Sequence, residues 1–119
     1  MSREELLRLF VLDSMADDYE AVPEIMRGVG ALAAECGIEI SRDEVVTSLR
    51  ALIEAGLVRA WSVGHRNQLR EEAFVPPVAE ADRYYYLPTE AGRDIHTEFA
   101  ALWGTGRIPP SNPAQSPQQ

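Results

Sequence analysis

Apolar residues recur at helical spacing in four stretches of the chain, and polar or turn-forming residues separate these stretches. Ser2 and Glu5 have the spacing of a capping box, which predicts a first helix running to about Ala16. Pro23 suits the first turn of a second helix, which reaches about Cys36. The chain therefore begins with two predicted helices.

A second capping box, formed by Ser41 and Glu44, predicts a third helix that ends at Gly56. Its apolar residues follow the helical period and predict a core-facing side. These residues are Val45, Leu49, Leu52 and Ile53. Thr89 predicts the cap of a last helix, which extends to about Trp103.

Two strands are predicted at residues 57–63 and 83–87, where β-branched and aromatic residues cluster. The intervening residues 64–82 form a long connection, since a hairpin loop usually has about two to five residues. Three apolar side chains in this loop are expected to pack back onto the body. They are Phe74, Val75 and Val78. The order of elements predicts a mainly α fold with a small β wing, in the α+β class.

The length of 119 residues suits one domain at residues 1–104, followed by a flexible Pro- and Gln-rich tail at 105–119. No apolar run is long enough to cross a membrane, and the N-terminus lacks the features of a signal peptide. The single Cys36 excludes an internal disulfide. We therefore expect a cytoplasmic protein.

Two segments resemble bacterial winged helix-turn-helix transcription regulators, nearest in style to the PadR-like and MarR-like groups. Residues 41–58, Ser-Arg-Asp-Glu-Val-Val-Thr-Ser-Leu-Arg-Ala-Leu-Ile-Glu-Ala-Gly-Leu-Val, resemble the third helix and first wing strand. Residues 85–93, Tyr-Tyr-Leu-Pro-Thr-Glu-Ala-Gly-Arg, resemble the second wing strand and the following helix, with Pro88 inserted into the usual pattern. The resemblance covers about residues 1–103. It implies a winged helix-turn-helix with the order helix-helix-helix-strand-strand-helix.

The resemblance also implies that the third helix, at about residues 41–56, enters the major groove of DNA. The helical period places Asp43, Thr47, Arg50 and Glu54 opposite the core face, and Arg42 projects from the helix start. Arg50 suits guanine, Thr47 suits a base edge or a phosphate, and Arg42 suits a phosphate. These are the candidate contacts of the helix.

The long loop supplies three further candidate DNA contacts, to the backbone beside the groove: His65, Arg66 and Arg70. The net charge of −8 argues against DNA binding, because DNA-binding domains are usually basic. Only residues 41–70 are net positive, with five arginines and three carboxylates.

Two functions therefore remain open. The first is a transcription regulator that binds DNA as a homodimer, and the second is a winged-helix module that has lost DNA binding and contacts a protein. The charge around Arg42, Thr47 and Arg50 in the folded chain distinguishes them. A positive surface favours the regulator, and dominance of Asp43, Glu44 and Glu54 favours the interaction module.

The first helix is apolar almost all round, which predicts burial on more than one side. Because so small a domain has little to cover a second side, we expect a partner chain there. The last helix adds a second apolar stripe. The predicted homodimer interface consists of Leu6, Phe10, Phe99, Leu102 and Trp103.

The sequence contains none of the motifs of a nucleophile elbow or a phosphate-binding loop, so we expect no enzyme activity and no cofactor. The two histidines and the cysteine lie far apart in the chain, so no metal site is expected, and His96 is expected to be exposed. A pocket for a flat apolar effector is a further alternative, although aromatic residues at such spacing are more often core. The aromatic candidates are Trp61, Tyr84, Tyr85, Tyr86 and Trp103.

Overall fold

The structure, a computed structural model, describes residues 2–16 and 18–104. In these residues four α-helices and a three-stranded antiparallel sheet form an α+β fold. The helices are α1 (Arg3–Ser14), α2 (Val22–Glu35), α3 (Arg42–Glu54) and α4 (Glu90–Gly104). The strands are β1 (Val58–Val63), β2 (Leu69–Glu72) and β3 (Tyr85–Pro88). The expected tail at residues 105–119 lies outside the described residues.

Both predicted capping boxes form. The hydroxyl of Ser2 accepts from the N–H of Glu5 at 3.1 Å, and the Glu5 carboxylate accepts from the N–H of Ser2 at 2.9 Å. Ser41 and Glu44 repeat the exchange at 3.2 and 3.1 Å. Each box satisfies N–H groups that the first turn of a helix leaves without partners. The starts of α1 and α3 are thus set by local sequence.

Helix α1 lies at the centre of the core, packed against α2, α3 and α4 of its own chain. Its buried residues point to several sides of the helix, which explains why the sequence is apolar almost all round. They are Leu6, Leu7, Phe10, Val11 and Leu12. The apolar residues of α1 therefore do not require a partner chain, because the chain buries them itself, and the homodimer stays a prediction.

The sheet has the order β2-β1-β3, with β1 in the middle. The two predicted strands pair as expected, with Val58 opposite Pro88 and Trp61 opposite Tyr85. Strand β2 was not predicted, because it lies within the long loop, where it pairs with β1 to form a hairpin. Beyond β3, Glu20 and Tyr86 exchange two backbone hydrogen bonds of 3.1 and 2.9 Å. This bridge occupies the outer edge of β3.

Residues 73–84 run from β2 at one edge of the sheet to β3 at the other, and we call them the crossing segment. The predicted docking of its apolar residues is confirmed for Val75 and Val78, which pack against the core. Phe74 remains exposed but stacks edge-on against Tyr84, with 5.6 Å between ring centroids. This aromatic pair joins the two ends of the segment.

The turn from α3 into β1 is hydrogen-bonded to the start of α4 and packs closely against it. Gly56 has a φ of +78°, a conformation that favours glycine, and its carbonyl accepts from the Thr89 hydroxyl at 2.9 Å. The same hydroxyl accepts from the N–H of Gly92 at 3.2 Å and caps α4. A Cβ on Gly92 would overlap the carbonyl oxygen of Leu57. Glycine is therefore required where α4 meets this turn.

Among the described residues, no helix is long and apolar enough to cross a membrane.

Candidate nucleic-acid and partner interface

Arg42 occupies the first position of α3, where a phosphate contact was predicted. Its Nη2 group donates to the carbonyl of Val78 and to the carboxylate of Asp82, each at 3.1 Å. The neighbouring Asp43 carboxylate lies 3.9 Å from Nη1. The charge of Arg42 is thus compensated within the chain, chiefly by the crossing segment.

Arg50 lies two turns further along α3, where a base contact was predicted. Its Nε donates to the carbonyl of Pro76 at 3.0 Å, and the side chain is half-buried. Arg42 and Arg50 therefore both bind the crossing segment. The two arginines of α3 that were predicted to contact DNA thus hold the chain's own loop against the helix.

The crossing segment is also fastened from the sheet. The buried Tyr86 hydroxyl donates to the carbonyl of Ala81 at 2.7 Å. Burial raises the pKa of this phenol, so it remains a neutral donor over the physiological range. Ala81 and Pro76 are themselves buried. Removing the segment from α3 would therefore expose apolar surface and leave buried polar groups without partners.

The part of α3 that stays open is acidic. Thr47, Asp43 and Glu54 are exposed, and the Asp43 side chain is 86% accessible. Glu44 accepts from Arg3 of α1 at 3.0 Å, and this hydrogen bond lowers the pKa of the Glu44 carboxyl. Carboxylates therefore outnumber unpaired guanidinium groups on this part of α3.

Thr47 lines a cleft of about 310 Å³ between the N-terminal halves of α1 and α3. Charged side chains from both helices line the same cleft, among them Glu4 and Asp43. The third predicted contact on α3 thus lies at a cleft whose charged side chains are three carboxylates and Arg3.

The hairpin tip brings the loop candidates together in the open. His65, Arg66 and Arg70 are all exposed, and neither arginine forms an ion pair with a described residue. Arg66 and Asn67 have φ values of 60° and 62°, so the tip is a turn of type I′ geometry. Arginine is an uncommon choice at such a position. The tip thus presents two arginines that no described carboxylate pairs with.

The outer face of the sheet, turned away from the helices, carries exposed apolar side chains. Val63 and Leu69 are direct cross-strand partners, exposed by 47% and 39%. Trp61 is the next residue of β1 on the same face, two positions before Val63. It lies opposite Tyr85, whose side chain is 39% exposed. Tyr19 covers part of the Trp61 ring, with 5.4 Å between centroids, and the indole N–H has no acceptor among the described residues. We call this surface the outer face.

The predicted dimer residues divide into two sets. Leu6, Phe10 and Phe99 are at most 3% exposed and form part of the core, so they are not free to meet a partner. Trp103 is half-buried and stacks against Phe10 at 5.7 Å. Leu102 alone among the five is exposed. Of the five residues, only Leu102 and part of Trp103 are therefore accessible to a second copy, and the homodimer stays a prediction.

The remaining candidates are separated in the structure. Tyr86 and Trp103 belong to the core and to the α1–α4 contact, whereas Trp61 and Tyr85 face outward from the sheet, so the aromatic residues do not share one pocket. His96 is not freely exposed as expected, because its Nε2 lies 2.7 Å from the Asp13 carboxylate. Within residues 2–16 and 18–104, no three potential metal ligands cluster.

Comparisons of the chain with protein-family models, with curated proteins and with solved structures gave no significant match.

Sequence reasoning missed strand β2 and the attachment of the crossing segment to α3. The apolar residues of the loop indicated that it packs somewhere, but they did not indicate where. The two contacts that matter most are made by backbone carbonyls of Pro76 and Val78, which carry no side-chain signature in a sequence.

Proposed function

We propose that this chain is a non-catalytic interaction domain of winged-helix type, which binds another protein and does not read DNA with α3. The observation that carries the proposal is the use of both Arg42 and Arg50 as donors to the crossing segment. The winged-helix assignment is supported by three helices followed by the β1–β3 pair and α4, with Glu20 paired along the outer edge of β3.

The crossing segment limits the access of α3 to a DNA groove. A major groove about 12 Å wide accepts a bare helix, not a helix with a segment fastened along it. Opening α3 would break the hydrogen bonds of Arg42, Arg50 and Tyr86 to that segment. Each such bond contributes about 0.5–1.5 kcal/mol, and buried groups left unpaired cost more. The free energy of DNA binding would have to offset the loss of these hydrogen bonds. It would also have to overcome the repulsion between the DNA phosphates and the carboxylates of Asp43 and Glu54.

The experiment is a selection of random-sequence duplexes with the purified protein at low ionic strength, where phosphate contacts are strongest. We expect no enriched sequence. The matched variants are Arg50→Ala and Arg66→Ala, which remove one cation each from α3 and from the hairpin tip. An enriched sequence that the Arg50→Ala variant no longer binds would overturn the proposal.

The second candidate function is the DNA-binding homodimeric regulator expected from the resemblance. The exposed arginines at the hairpin tip favour it, because a wing needs only phosphate contacts to add affinity. In that case Arg66→Ala and Arg70→Ala weaken binding to all sequences alike and reduce its salt dependence. The same selection distinguishes the two functions, since only the regulator yields an operator.

A further inference from the structure

The cleft between the N-terminal halves of α1 and α3 has one wall from each helix, and we call it the α1–α3 cleft. Glu4 and Leu7 lie one turn apart on α1, and Asp43 and Thr47 lie one turn apart on α3. Pockets for whole small molecules usually measure about 300–1,000 Å³. A cleft of about 310 Å³ lies at the lower end of this range, so it suits a single side chain of a partner.

Ser48 is a buried polar residue in the wall of this cleft. It lies one turn after Glu44 on α3 and is only 6% exposed. Its hydroxyl forms no hydrogen bond with a described residue, whereas the hydroxyls of Ser14 and Thr97 donate to carbonyls of their own helices. Buried polar groups almost always have a hydrogen-bond partner. A buried hydroxyl that lines a cleft without a partner in the chain therefore indicates a ligand that supplies one.

The charges of the lining favour a cation. Three carboxylates and one guanidinium line the cleft, which leaves a net charge of −2. Arg3 and Glu44 compensate each other through a contact of 3.0 Å. Glu4 and Asp43 accept no hydrogen bond from a described residue, and Asp43 has only a contact of 3.9 Å with Arg42. The two carboxylates left over thus lie on opposite walls of the cleft.

An organic cation fits this lining better than a metal ion does. No three potential metal ligands cluster among the described residues. Leu7 gives the cleft an apolar part, which suits the aliphatic stem of a lysine or arginine side chain. The charged end of such a side chain has only hydrogen-bond donors. The carboxylates of Glu4 and Asp43 and the hydroxyl of Ser48 are the matching acceptors.

We propose that the α1–α3 cleft binds a lysine or arginine side chain of a partner protein. The aliphatic stem covers Leu7, the charged end lies between Glu4 and Asp43, and one of its N–H groups donates to the Ser48 hydroxyl. The inference rests on the proposed interaction function and names the chemistry of the partner. A helix face that was predicted to contact phosphate thus accepts the opposite charge.

The binding test is an NMR titration of the isotope-labelled chain with the peptide acetyl-Gly-Ala-Lys-Ala-Gly-amide. The control peptide carries acetyl-lysine, which keeps the stem but lacks the charge. We expect saturable shifts of the amides of Leu7, Thr47 and Ser48, with about tenfold weaker binding of the control, the effect of one charged hydrogen bond. Equal binding of the two peptides, or no saturable shift with the lysine peptide, would overturn the inference.

Charge variants of the cleft have a matched control elsewhere on the chain. Glu4→Gln and Asp43→Asn each remove one carboxylate from the cleft, whereas Glu35→Gln removes an exposed carboxylate at the end of α2. All three change the net charge of the chain equally. We expect about threefold weaker peptide binding for each cleft variant, the size of a partly exposed charge contact, and wild-type binding for the control. Equal affinities of the three variants would show that only the overall charge attracts the peptide.

Ser48→Ala separates the ligand contact from folding. Because the hydroxyl bonds to no described residue and alanine favours a helix, the melting temperature should not fall. Binding of the lysine peptide should weaken about fivefold, the effect of one lost hydrogen bond. A lower melting temperature would show that the hydroxyl has a structural partner, and an unchanged affinity would show that the ligand does not reach it. Either result would overturn the inference.

Two further measurements distinguish the source of the cation. Spermidine that shifts the cleft amides at a lower concentration than the peptide, and that Ser48→Ala weakens, would assign the cleft to a free polyamine. A dimer in sedimentation that the lysine peptide dissociates would assign it to a second copy of the chain. Both results would overturn the inference, and we expect neither. The duplex selection decides the broader interaction function independently, so the two failures are distinguishable.

Discussion

Arg42 at the start of α3 and Asp82 in the crossing segment lie 40 positions apart in the chain, yet their side chains meet at 3.1 Å. The contact is partly exposed, since the two side chains are 37% and 57% accessible. Such a partly exposed ion pair contributes only about 0–1 kcal/mol to stability. The ion pair matters for its location, because it links α3, the helix predicted to enter the major groove, to the crossing segment that lies along it.

A double-mutant cycle on this pair tests whether Arg42 is structural. We expect a coupling of about 0.2–1 kcal/mol between Arg42→Ala and Asp82→Ala, decreasing as salt is added. Arg42→Ala should be the more destabilising single change, because it also leaves the Val78 carbonyl without its donor. Urea unfolding measures the free energies, with Arg93→Ala on the exposed side of α4 as control. Wild-type stability for Arg42→Ala would show that the guanidinium is available for other contacts.

Gly92→Ala should destabilise the chain because the new methyl group would collide with backbone at Leu57. The cost of such overpacking is about 1–3 kcal/mol. Gly30→Ala is the matched control, since a Cβ at this position in α2 meets nothing within 4 Å. This control should stabilise by about 0.5–1 kcal/mol, as alanine favours a helix over glycine. Thermal unfolding of both variants gives the change in melting temperature for each. Changes of the same sign would contradict the close packing of Gly92 against Leu57.

Glu44 should make stability depend on pH. The hydrogen bond from Arg3 lowers the pKa of its carboxyl in the folded chain. A lowered folded pKa gives stability that is present above the unfolded value, about 4.3, and is lost as the pH falls through the folded value. Glu44→Gln should therefore destabilise at neutral pH and have little effect in strong acid. Glu54→Gln, an exposed carboxylate on the same helix, is the control. Melting temperatures across the acid range test this, and a pH-independent effect would be inconsistent with it.

The backbone conformation at the hairpin tip predicts how substitutions of Arg66 rank in thermal stability. Arg66 has a φ of 60°, a conformation that costs most residues about 1 kcal/mol or more but that asparagine tolerates. Arg66→Asn should raise the melting temperature slightly, whereas Arg66→Val should lower it because the β-branched side chain is worst in this region. Circular dichroism melts provide the measurement. The reverse order would indicate that the tip does not hold this turn.

Much of the local architecture was predictable from short stretches of sequence. The two capping boxes, the glycine stop at Gly56 and the Thr89 cap appear in the structure as expected. Each depends on groups within a few residues of one another, so the sequence contains all participants. The β1–β3 pair was also predictable, because strand-favouring residues mark both strands.

The environment of the candidate site was not predictable in this way. Helical periodicity correctly placed Asp43, Thr47 and Glu54 away from the core, but it gave no information on what covers the neighbouring part of α3. The answer depends on the path of the crossing segment, which bonds to Arg50 and Arg42 through chain separations of 26 to 40 residues. Strand β2 escaped prediction for a related reason. Its residues Leu-Arg-Glu-Glu favour no strand by themselves, and only pairing with β1 makes them one.

The sequence by itself determined where the helices begin and end, which of their sides are apolar, and that the chain is acidic overall. The tertiary structure alone decided that α1 is covered by its own chain and that the arginines of α3 are engaged by the crossing segment. It also decided that β2, among the described residues, pairs only with β1. The physical reason is the range of the interactions. Caps and periodicity act within about one helical turn, whereas burial and edge pairing depend on residues that become neighbours only when the chain folds.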